Sequence, residues 1–183
     1  MAFGKSFEEL VRESRQKVYN FALRLCGNQA DAADLMQEAF TQAYRHFSSF
    51  DRSRSFSSWV LAIAHHRFVN RITSLEARRT VSLEQEFSRV DDDRRGEDLA
   101  GGDPEPMDAL ILREDELLLQ RALDRLEPHY RSAVILCDIE GWSYDEIARA
   151  CQCPIGTVKS RVHQGRKQIR AMFEGCNQAG GRS

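Results

Sequence analysis

The stretch from residue 155 to 173 carries the residue types that could contact a nucleic acid. It contains five lysines and arginines and no acidic residue. Guanidinium, amide and hydroxyl groups suit base edges, and cations along a helix suit phosphates. Apolar residues at helical spacing predict its inner face, and polar or basic residues fall on the outer face and flanks. The inner set is Ile155, Val158, Val162, Ile169 and Phe173; the outer set is Thr157, Lys159, Ser160, Arg161, His163, Gln164, Arg166, Lys167 and Arg170.

The residues before this basic helix predict the other half of a helix-turn-helix. Ser143 and Glu146 form a capping box that opens a short helix, and residues 151–154 form a tight turn. Ala148 is small where the two helices must touch, and Val158 supplies the apolar contact from the second helix. A solvated surface helix is the simpler alternative. Such helices usually mix charge signs and this one does not, so DNA binding is favoured.

Charge is distributed unevenly along the 183 residues, although the net charge is only −2. Residues 1–80 carry 12 basic and 8 acidic residues, and residues 117–183 carry 10 and 7. Residues 81–116 carry 4 basic and 13 acidic residues. Two mildly basic bodies joined by an acidic segment are therefore predicted, which points to anionic partners despite a pI of about 6.2.

The elements that must position these residues are all helical. Apolar periodicity predicts helices over residues 6–26, 30–49 and 56–75, and helices resume at about Met107. Residues 80–106 lose the period and combine acidic runs with glycine and proline, which indicates a flexible linker. The predicted fold is all-α, with two small helical bundles: residues 1–79, the acidic linker 80–106, residues 107–175 with the helix-turn-helix, and a tail from 176 to 183.

Several functional classes are not expected. No apolar run reaches the roughly 18–20 residues of a membrane span, and the N-terminus lacks a secretory signal pattern, so a cytoplasmic protein is expected. The five cysteines do not suggest a disulfide framework. The spacing of Cys151 and Cys153 does not suit zinc, although a thiol sensor there stays an alternative. No metal, cofactor or catalytic constellation is predicted, so an enzyme is not expected.

Two separate motifs resemble the extracytoplasmic-function (ECF) sigma factors. Residues 141–148 followed by residues 153–162 look like their fourth conserved region. Residues 31–40 resemble the core-binding helix of the second region, and Phe56, Trp59 and Ile63-Ala64 resemble the promoter-melting helix after it. The two motifs occur in the family's order and cover both predicted bundles.

The resemblance implies a dissociable subunit of bacterial RNA polymerase without catalysis of its own, with region 2 over residues 1–79 and region 4 over residues 107–175. Core RNA polymerase and promoter DNA are then the expected partners. The second helix would dock on the clamp coiled coil of the largest polymerase subunit. The implied polymerase-binding residues are Asp34, Leu35, Gln37 and Glu38.

The same resemblance assigns the DNA contacts. The −10 element would be contacted by His65, His66, Arg67, Asn70 and Arg71. His66 stands where the family commonly has Asn, which implies a different −10 preference. For the −35 element, the base-edge candidates are Lys159, Ser160, His163 and Gln164, and the phosphate candidates are Thr157, Arg161, Arg166 and Lys167.

Two questions stay open at this level. A stand-alone transcriptional regulator would use only the helix-turn-helix and would not need the surface around Asp34. An anti-sigma factor is a candidate further partner, because a flexible linker would let one protein hold both bundles together.

Overall fold

The computed structural model describes residues 5–82 and 107–180, and within them the fold is all-α. The predicted fold class is thereby confirmed. The described ranges contain seven α-helices: α1 Phe7–Cys26, α2 Gln29–Arg45, α3 Phe56–Ser82, α4 Met107–Asp124, α5 Pro128–Val134, α6 Tyr144–Ala150 and α7 Ile155–Gly180.

Local signals set the ends of the first helix. The Ser6 hydroxyl accepts from the Glu9 N–H at 3.3 Å, and the Glu9 carboxylate accepts from the Ser6 N–H at 2.8 Å. These are the two reciprocal bonds of a capping box. Gly27 ends the helix with φ +77°, a conformation that glycine adopts without strain. The polar side chain of Asn28 then caps α2 by accepting from the Asp31 N–H at 2.9 Å.

Helices α1, α2 and α3 form the first bundle around a tightly buried core. Its fully buried side chains include Val18, Phe21, Leu25, Leu35 and Leu61. An aromatic cluster closes the end where α2 gives way to a 3₁₀ turn at Phe47–Ser49. The cluster pairs Phe7, Phe47, Phe50, Phe56 and Trp59 at ring-centroid distances between 4.8 and 6.3 Å.

The second bundle is built by α4 to α7. Residues 128–139 do not form one regular α-helix, because α5 ends at Val134 and a π-helical turn covers Ile135–Ile139. Its core includes Leu123, Ile135, Leu136, Ile147 and Val162. Helices α5 and α7 cross very closely at Gly165, where an added Cβ would lie 2.5 Å from Val134 Cγ2. A Cβ at this position would force Val134 or one of the two helices to shift.

Some predicted boundaries and faces differ from the structure. The predicted second helix, 30–49, ends at Arg45, and α3 runs to Ser82, beyond the predicted end at 75 and into the predicted linker. Helix α7 runs to Gly180, so most of the predicted tail is helical. Residues 83–106, which hold the rest of the predicted linker, lie outside the described residues. Ile155 and Phe173 were predicted to be inward, but they are 38% and 40% exposed.

Candidate DNA and polymerase interfaces

The helix-turn-helix is formed by α6, the turn at residues 151–154 and α7. Ser143 and Glu146 make the predicted capping box at the start of α6. In the turn, Gln152 has φ +50° and the Cys153 N–H donates to the Ala148 carbonyl at 3.1 Å. Ile147 and Val158 are both buried where the two helices pack. The turn is therefore held by backbone bonds and by one apolar contact layer.

One side of α7 is exposed over its first four turns. Val158, Val162 and Gly165 face the bundle. Polar and basic candidates occupy the opposite, exposed side: Lys159, Ser160, His163, Gln164 and Lys167. From Lys159 to Lys167 the helix rises about 12 Å at 1.5 Å per residue. This strip can present hydroxyl, imidazole, amide and ammonium groups to one groove of a duplex.

Two of the arginines on α7 contact their own bundle. Arg161 is half-buried, and its Nη1 lies 3.8 Å from Cys153 Sγ in the turn. Arg166 Nε donates to Asp138 Oδ2 at 3.0 Å, and its Nη2 also bonds to that carboxylate. The hydrogen bonds to Asp138 raise the pKa of Arg166 above its ordinary value. Arg166 therefore ties α7 to the π-helical turn.

Two cysteines of this half, Cys137 and Cys151, are poorly suited to rapid oxidation. Burial raises the pKa of Cys151 to about 12, and burial also raises the pKa of Cys137. A thiol with a raised pKa stays protonated at neutral pH, and the thiolate is the reactive form. The structure thus gives no support to the thiol-sensor alternative at Cys151. No group of three or more potential metal ligands occurs among residues 5–82 and 107–180.

On α3, the predicted contact of His65 with the −10 element is wrong. His65 is only 4% exposed, and its Nδ1 finds no hydrogen-bond partner among the described residues. Burial lowers its pKa to about 3, with smaller contributions from His66, His129 and Arg161. Leu61, His65 and Phe68 follow one another at helical spacing on the buried face of α3, so His65 is a core residue.

The other −10 candidates divide into two pairs. Asn70 is exposed and His66 is half-buried, and they lie one turn apart. Arg67 and Arg71 instead contact α2: Arg67 Nη2 donates to Gln42 Oε1 at 2.7 Å, and Arg71 Nη2 donates to Glu38 Oε1 at 3.0 Å. Asp31 adds a carboxylate 3.7 Å from Arg71. These bonds fasten α3 to α2.

On α2, the predicted polymerase-binding residues are split between surface and core. Asp34, Gln37 and Glu38 are exposed. Leu35 is 1% exposed and packs in the bundle, so its predicted contact with a partner is wrong. Sequence reasoning missed further members of this surface. A shallow groove is lined by Asp34, Gln37 and Glu38 together with Thr41, Gln42, Arg45 and Arg67. The helical spacing from 34 to 38, 41 and 45 could have indicated Thr41 and Arg45.

Comparison with known families matches both halves of the chain. The Sigma-70 region 2 family matches residues 10–79, and the Sigma-70 region 4 family matches residues 116–169. The ECF RNA polymerase sigma factor SigW of Bacillus subtilis is 31% identical over 165 residues, covering 90% of this chain and 87% of the relative. The chain belongs to the ECF sigma factors.

Other members of the family give the same match. SigE of Mycolicibacterium smegmatis is 38% identical over 167 residues, and the ECF sigma-E factor of Escherichia coli K12 is 31% identical over 166 residues. Both alignments cover 90% of this chain. They cover 60% of the SigE relative and 85% of the E. coli relative, so SigE contains further sequence beyond the matched part.

Solved structures show the same fold. The sigma factor RpoE of Bartonella quintana, solved with the anti-sigma factor NepR, has a TM-score of 0.66 and 23% identity, covering 92% of this chain and 96% of that one. CnrH, solved with the cytosolic domain of CnrY, has a TM-score of 0.62 and 18% identity, covering 95% and 91%. At these identities the likeness concerns the arrangement of helices.

Family membership defines the general function of this sigma factor. Sigma-70 regions 2 and 4 imply RNA polymerase and promoter DNA as partners, and the function is promoter-specific transcription initiation. Sigma factors are non-catalytic initiation factors. The stand-alone regulator is not favoured, because region 2 is present as well as the helix-turn-helix. Among the described helices, none is long and apolar enough to cross a membrane.

Proposed function

We propose that this sigma factor positions RNA polymerase at promoters through two separated DNA-binding surfaces, and that the residue roles follow from the contacts above. Residues 1–79 act as region 2 on the polymerase and the −10 element. Residues 107–175 act as region 4 on the −35 element, and residues 80–106 connect the two. The observation that carries the proposal is the exposed polar strip of α7, which lies opposite the buried Val158, Val162 and Gly165.

For the −35 element, the proposal assigns base contacts to Lys159, Ser160, His163 and Gln164. All four are exposed on the N-terminal half of α7. In a helix-turn-helix, this part of the second helix meets base edges in the major groove. Lys167 lies one turn beyond His163 and would meet a phosphate. Thr157 and Arg161 are half-buried beside the turn, so they would position α7 and contact only the nearest phosphates of the DNA backbone.

For the −10 element, the proposal assigns the direct contacts to Asn70 and His66. Asn70 is exposed and His66 is half-buried, whereas the neighbouring Arg67 and Arg71 are bonded to α2. Amide and imidazole groups can hydrogen-bond to the edge of an unstacked base, and imidazole can also stack on it. Arg67 and Arg71 act chiefly by fixing α3 against α2, and their remaining donors can meet the DNA backbone.

For core polymerase, the proposal assigns the contact to the exposed side of α2, with the clamp coiled coil of the largest subunit as its partner. Asp34 and Gln37 carry it most directly. Glu38 already accepts from Arg71, so a basic partner residue would compete with that bond. The buried Leu35 supports this surface from below. The Glu38–Arg71 bond would thereby couple polymerase binding on α2 to the position of α3.

A pull-down with core polymerase tests the α2 assignment. The double variant Asp34→Ala/Gln37→Ala should lower retention of core polymerase by tenfold or more while the circular dichroism spectrum stays that of the parent. Glu8→Ala/Gln16→Ala is the matched control, because it removes one carboxylate and one amide from exposed positions on α1. Equal retention by both double variants would reject the α2 surface as the docking site.

An anti-sigma factor is a further proposed partner. The sigma factors RpoE and CnrH, which share this fold, were solved with NepR and with the cytosolic domain of CnrY. A protein that covered the α2 surface or the α7 strip would block polymerase or promoter binding. Co-purification with the tagged chain from its own host, followed by mass spectrometry, would identify such a partner. The partner should no longer co-purify when exposed residues of the α2 surface or of the α7 strip are substituted.

A further inference from the structure

The edge of the exposed α7 strip carries an arginine whose charge is already paired. Arg166 Nε donates to Asp138 Oδ2 at 3.0 Å, and Arg166 Nη2 donates to Asp138 Oδ1. The same Nη2 lies 3.6 Å from Cys137 Sγ. Two donors of one guanidinium thus meet one carboxylate, which is a stronger and more directional pairing than a single hydrogen bond. The Arg166 side chain is nevertheless 50% exposed, so it lies within reach of a ligand at the surface.

The π-helical turn after α5 places Asp138 beside α7. The Glu140 N–H donates to the Ile135 carbonyl, five residues earlier, at 3.0 Å, which is the bond pattern of a π-helix. Ile135 and Leu136 at the start of the turn are fully buried, whereas Asp138 lies at the surface. Asp138 is therefore attached to a backbone that the core holds in place. A DNA phosphate near Arg166 would compete with a carboxylate that is fixed next to it.

The direction of Arg166 on the helix determines what it could contact. Successive residues of an α-helix are about 100° apart at 3.6 residues per turn. Gly165 is buried against α5, and Lys167 lies on the exposed strip, so Arg166 points between these two directions. When the strip lies in a groove of the duplex, Arg166 faces the side of that groove. Its available contact there is a phosphate, which carries no sequence information.

The pairing with Asp138 limits how much Arg166 can add to DNA binding. Cations that contact phosphates release condensed counterions, and each contact contributes about −0.9 to the slope of log K against log salt concentration. Arg166 and Asp138 together carry no net charge. The hydrogen bonds to Asp138 also raise the pKa of Arg166, so the guanidinium stays charged and the carboxylate is what offsets it.

We infer that Asp138 is a specificity-determining residue of the −35 contact. It keeps Arg166 paired within its own bundle, so that Arg166 adds no sequence-independent phosphate contact to the base contacts of the strip. Binding to unrelated DNA depends on phosphate contacts, and it is this binding that Asp138 lowers. Asp138 acts through Arg166 and contacts no base itself. This inference rests on the proposed function, since the strip is the surface that reads the DNA.

Equilibrium binding of the holoenzyme to two duplexes tests this role. One duplex is a promoter fragment recovered by run-off transcription, and the other has the same length and a scrambled sequence. Asp138→Asn should raise the affinity for the scrambled duplex roughly three- to tenfold and steepen its salt slope by about 0.9, because Arg166 then contacts a phosphate. The affinity for the promoter should rise by no more than about twofold, because base contacts fix the register of α7 there.

Three further variants show whether Arg166 carries the effect. In an Arg166→Ala background, Asp138→Asn should change the affinity for the scrambled duplex by less than about twofold, because no paired cation is left to release. Asp138→Glu keeps a carboxylate beside the guanidinium and should behave like the parent. Asp145→Asn is the matched control, since it removes one carboxylate from an exposed position on α6 and should leave the salt slope unchanged. Misfolding would lower the affinity for both duplexes, so it cannot produce the expected rise.

Several results would overturn the inference. An unchanged affinity of Asp138→Asn for the scrambled duplex would do so, and so would an equal rise in the Arg166→Ala background, which indicates a general charge effect. Equal rises for the promoter and the scrambled duplex would reject the effect on specificity. Lys167→Ala tests the proposed function separately. An unchanged salt slope in that variant would reject the strip as a DNA surface, whereas a reduced slope together with an unaffected Asp138→Asn would reject only the role of Asp138.

Discussion

Helices α3 and α7 are both basic, and both are proposed to meet DNA, but their cations have different surroundings. On α3, Arg67 and Arg71 bond to Gln42 and Glu38 of α2. On α7, Lys159 and Lys167 lie on an exposed strip. The comparison shows that the spacing of basic residues identifies a helix face, whereas the neighbouring helix determines which cations can meet a phosphate.

The largest effect should come from the core beneath the α2 surface. Leu35→Ala should destabilise the protein by about 2–5 kcal/mol, because it removes a fully buried side chain and leaves a cavity. Asp34→Ala, one residue earlier and exposed, should change stability by no more than about 0.5 kcal/mol and should reduce polymerase binding. Urea unfolding followed by circular dichroism measures both. If Leu35→Ala left stability intact, the buried position of Leu35 would be wrong.

The α7 surface depends on a close helix crossing instead. Gly165→Ala should destabilise the protein by about 1–3 kcal/mol, because the new Cβ would lie 2.5 Å from Val134 Cγ2. Gly156→Ala is the control in the same helix, since a Cβ there would meet no heavy atom within 4 Å. It should be neutral or slightly stabilising in thermal unfolding. Equal losses in the two variants would contradict the tight α5–α7 contact.

The pH dependence of stability tests whether His65 of α3 is buried. Burial lowers the pKa of His65 from 6.5 to about 3, so the unfolded chain binds the proton more readily. The contribution of His65 to stability is fully present above pH 6.5 and is lost progressively as the pH falls from 6.5 towards 3. Between pH 7 and pH 5 the loss should be roughly 2 kcal/mol.

Two variants make this test specific to His65. His65→Phe should remove most of this pH dependence from urea unfolding, because it removes the titrating group from the core. His163→Ala, on the exposed strip of α7, should retain it. A parent protein whose stability stayed constant from pH 7 to pH 5 would show that His65 is not buried as described.

The smallest effect distinguishes the cations of α7. Lys167→Ala should lower the slope of log K against log salt concentration by about one for the polymerase holoenzyme on −35 DNA, because one phosphate contact is lost. Arg166→Ala should change the slope by less than half as much, since Asp138 holds this guanidinium. Equal changes in slope would mean that Arg166 leaves Asp138 when DNA binds.

The elements and the outline of the site could be predicted from the sequence. The capping box at Ser143 and the turn at residues 151–154 are local signals, and the structure confirms them. The burial of Leu35 and His65, in contrast, is not determined by the local sequence. Whether a side chain at a given helical position is core or surface depends on which neighbouring helices cover it, as α1 and α3 cover α2.

The bonds that hold Arg71 and Arg166 to their own bundles could not be predicted for a related reason. Arg71 and Glu38 are 33 residues apart, and Arg166 and Asp138 are 28 residues apart. Leu25 and Arg131, which meet where α1 contacts α5, are 106 residues apart. Pairings over such distances depend on the packing of whole helices, and the π-helical turn that carries Asp138 has no simple sequence signal.

The most direct test of the two-surface account is run-off transcription with core polymerase on promoters taken from a genomic template pool. The account predicts initiation at a defined start site that is lost when either the −10 or the −35 element is scrambled. It also predicts that Lys159→Ala/His163→Ala abolishes only the dependence on the −35 element. Initiation unaffected by scrambling either element, or no initiation on any template, would contradict the account.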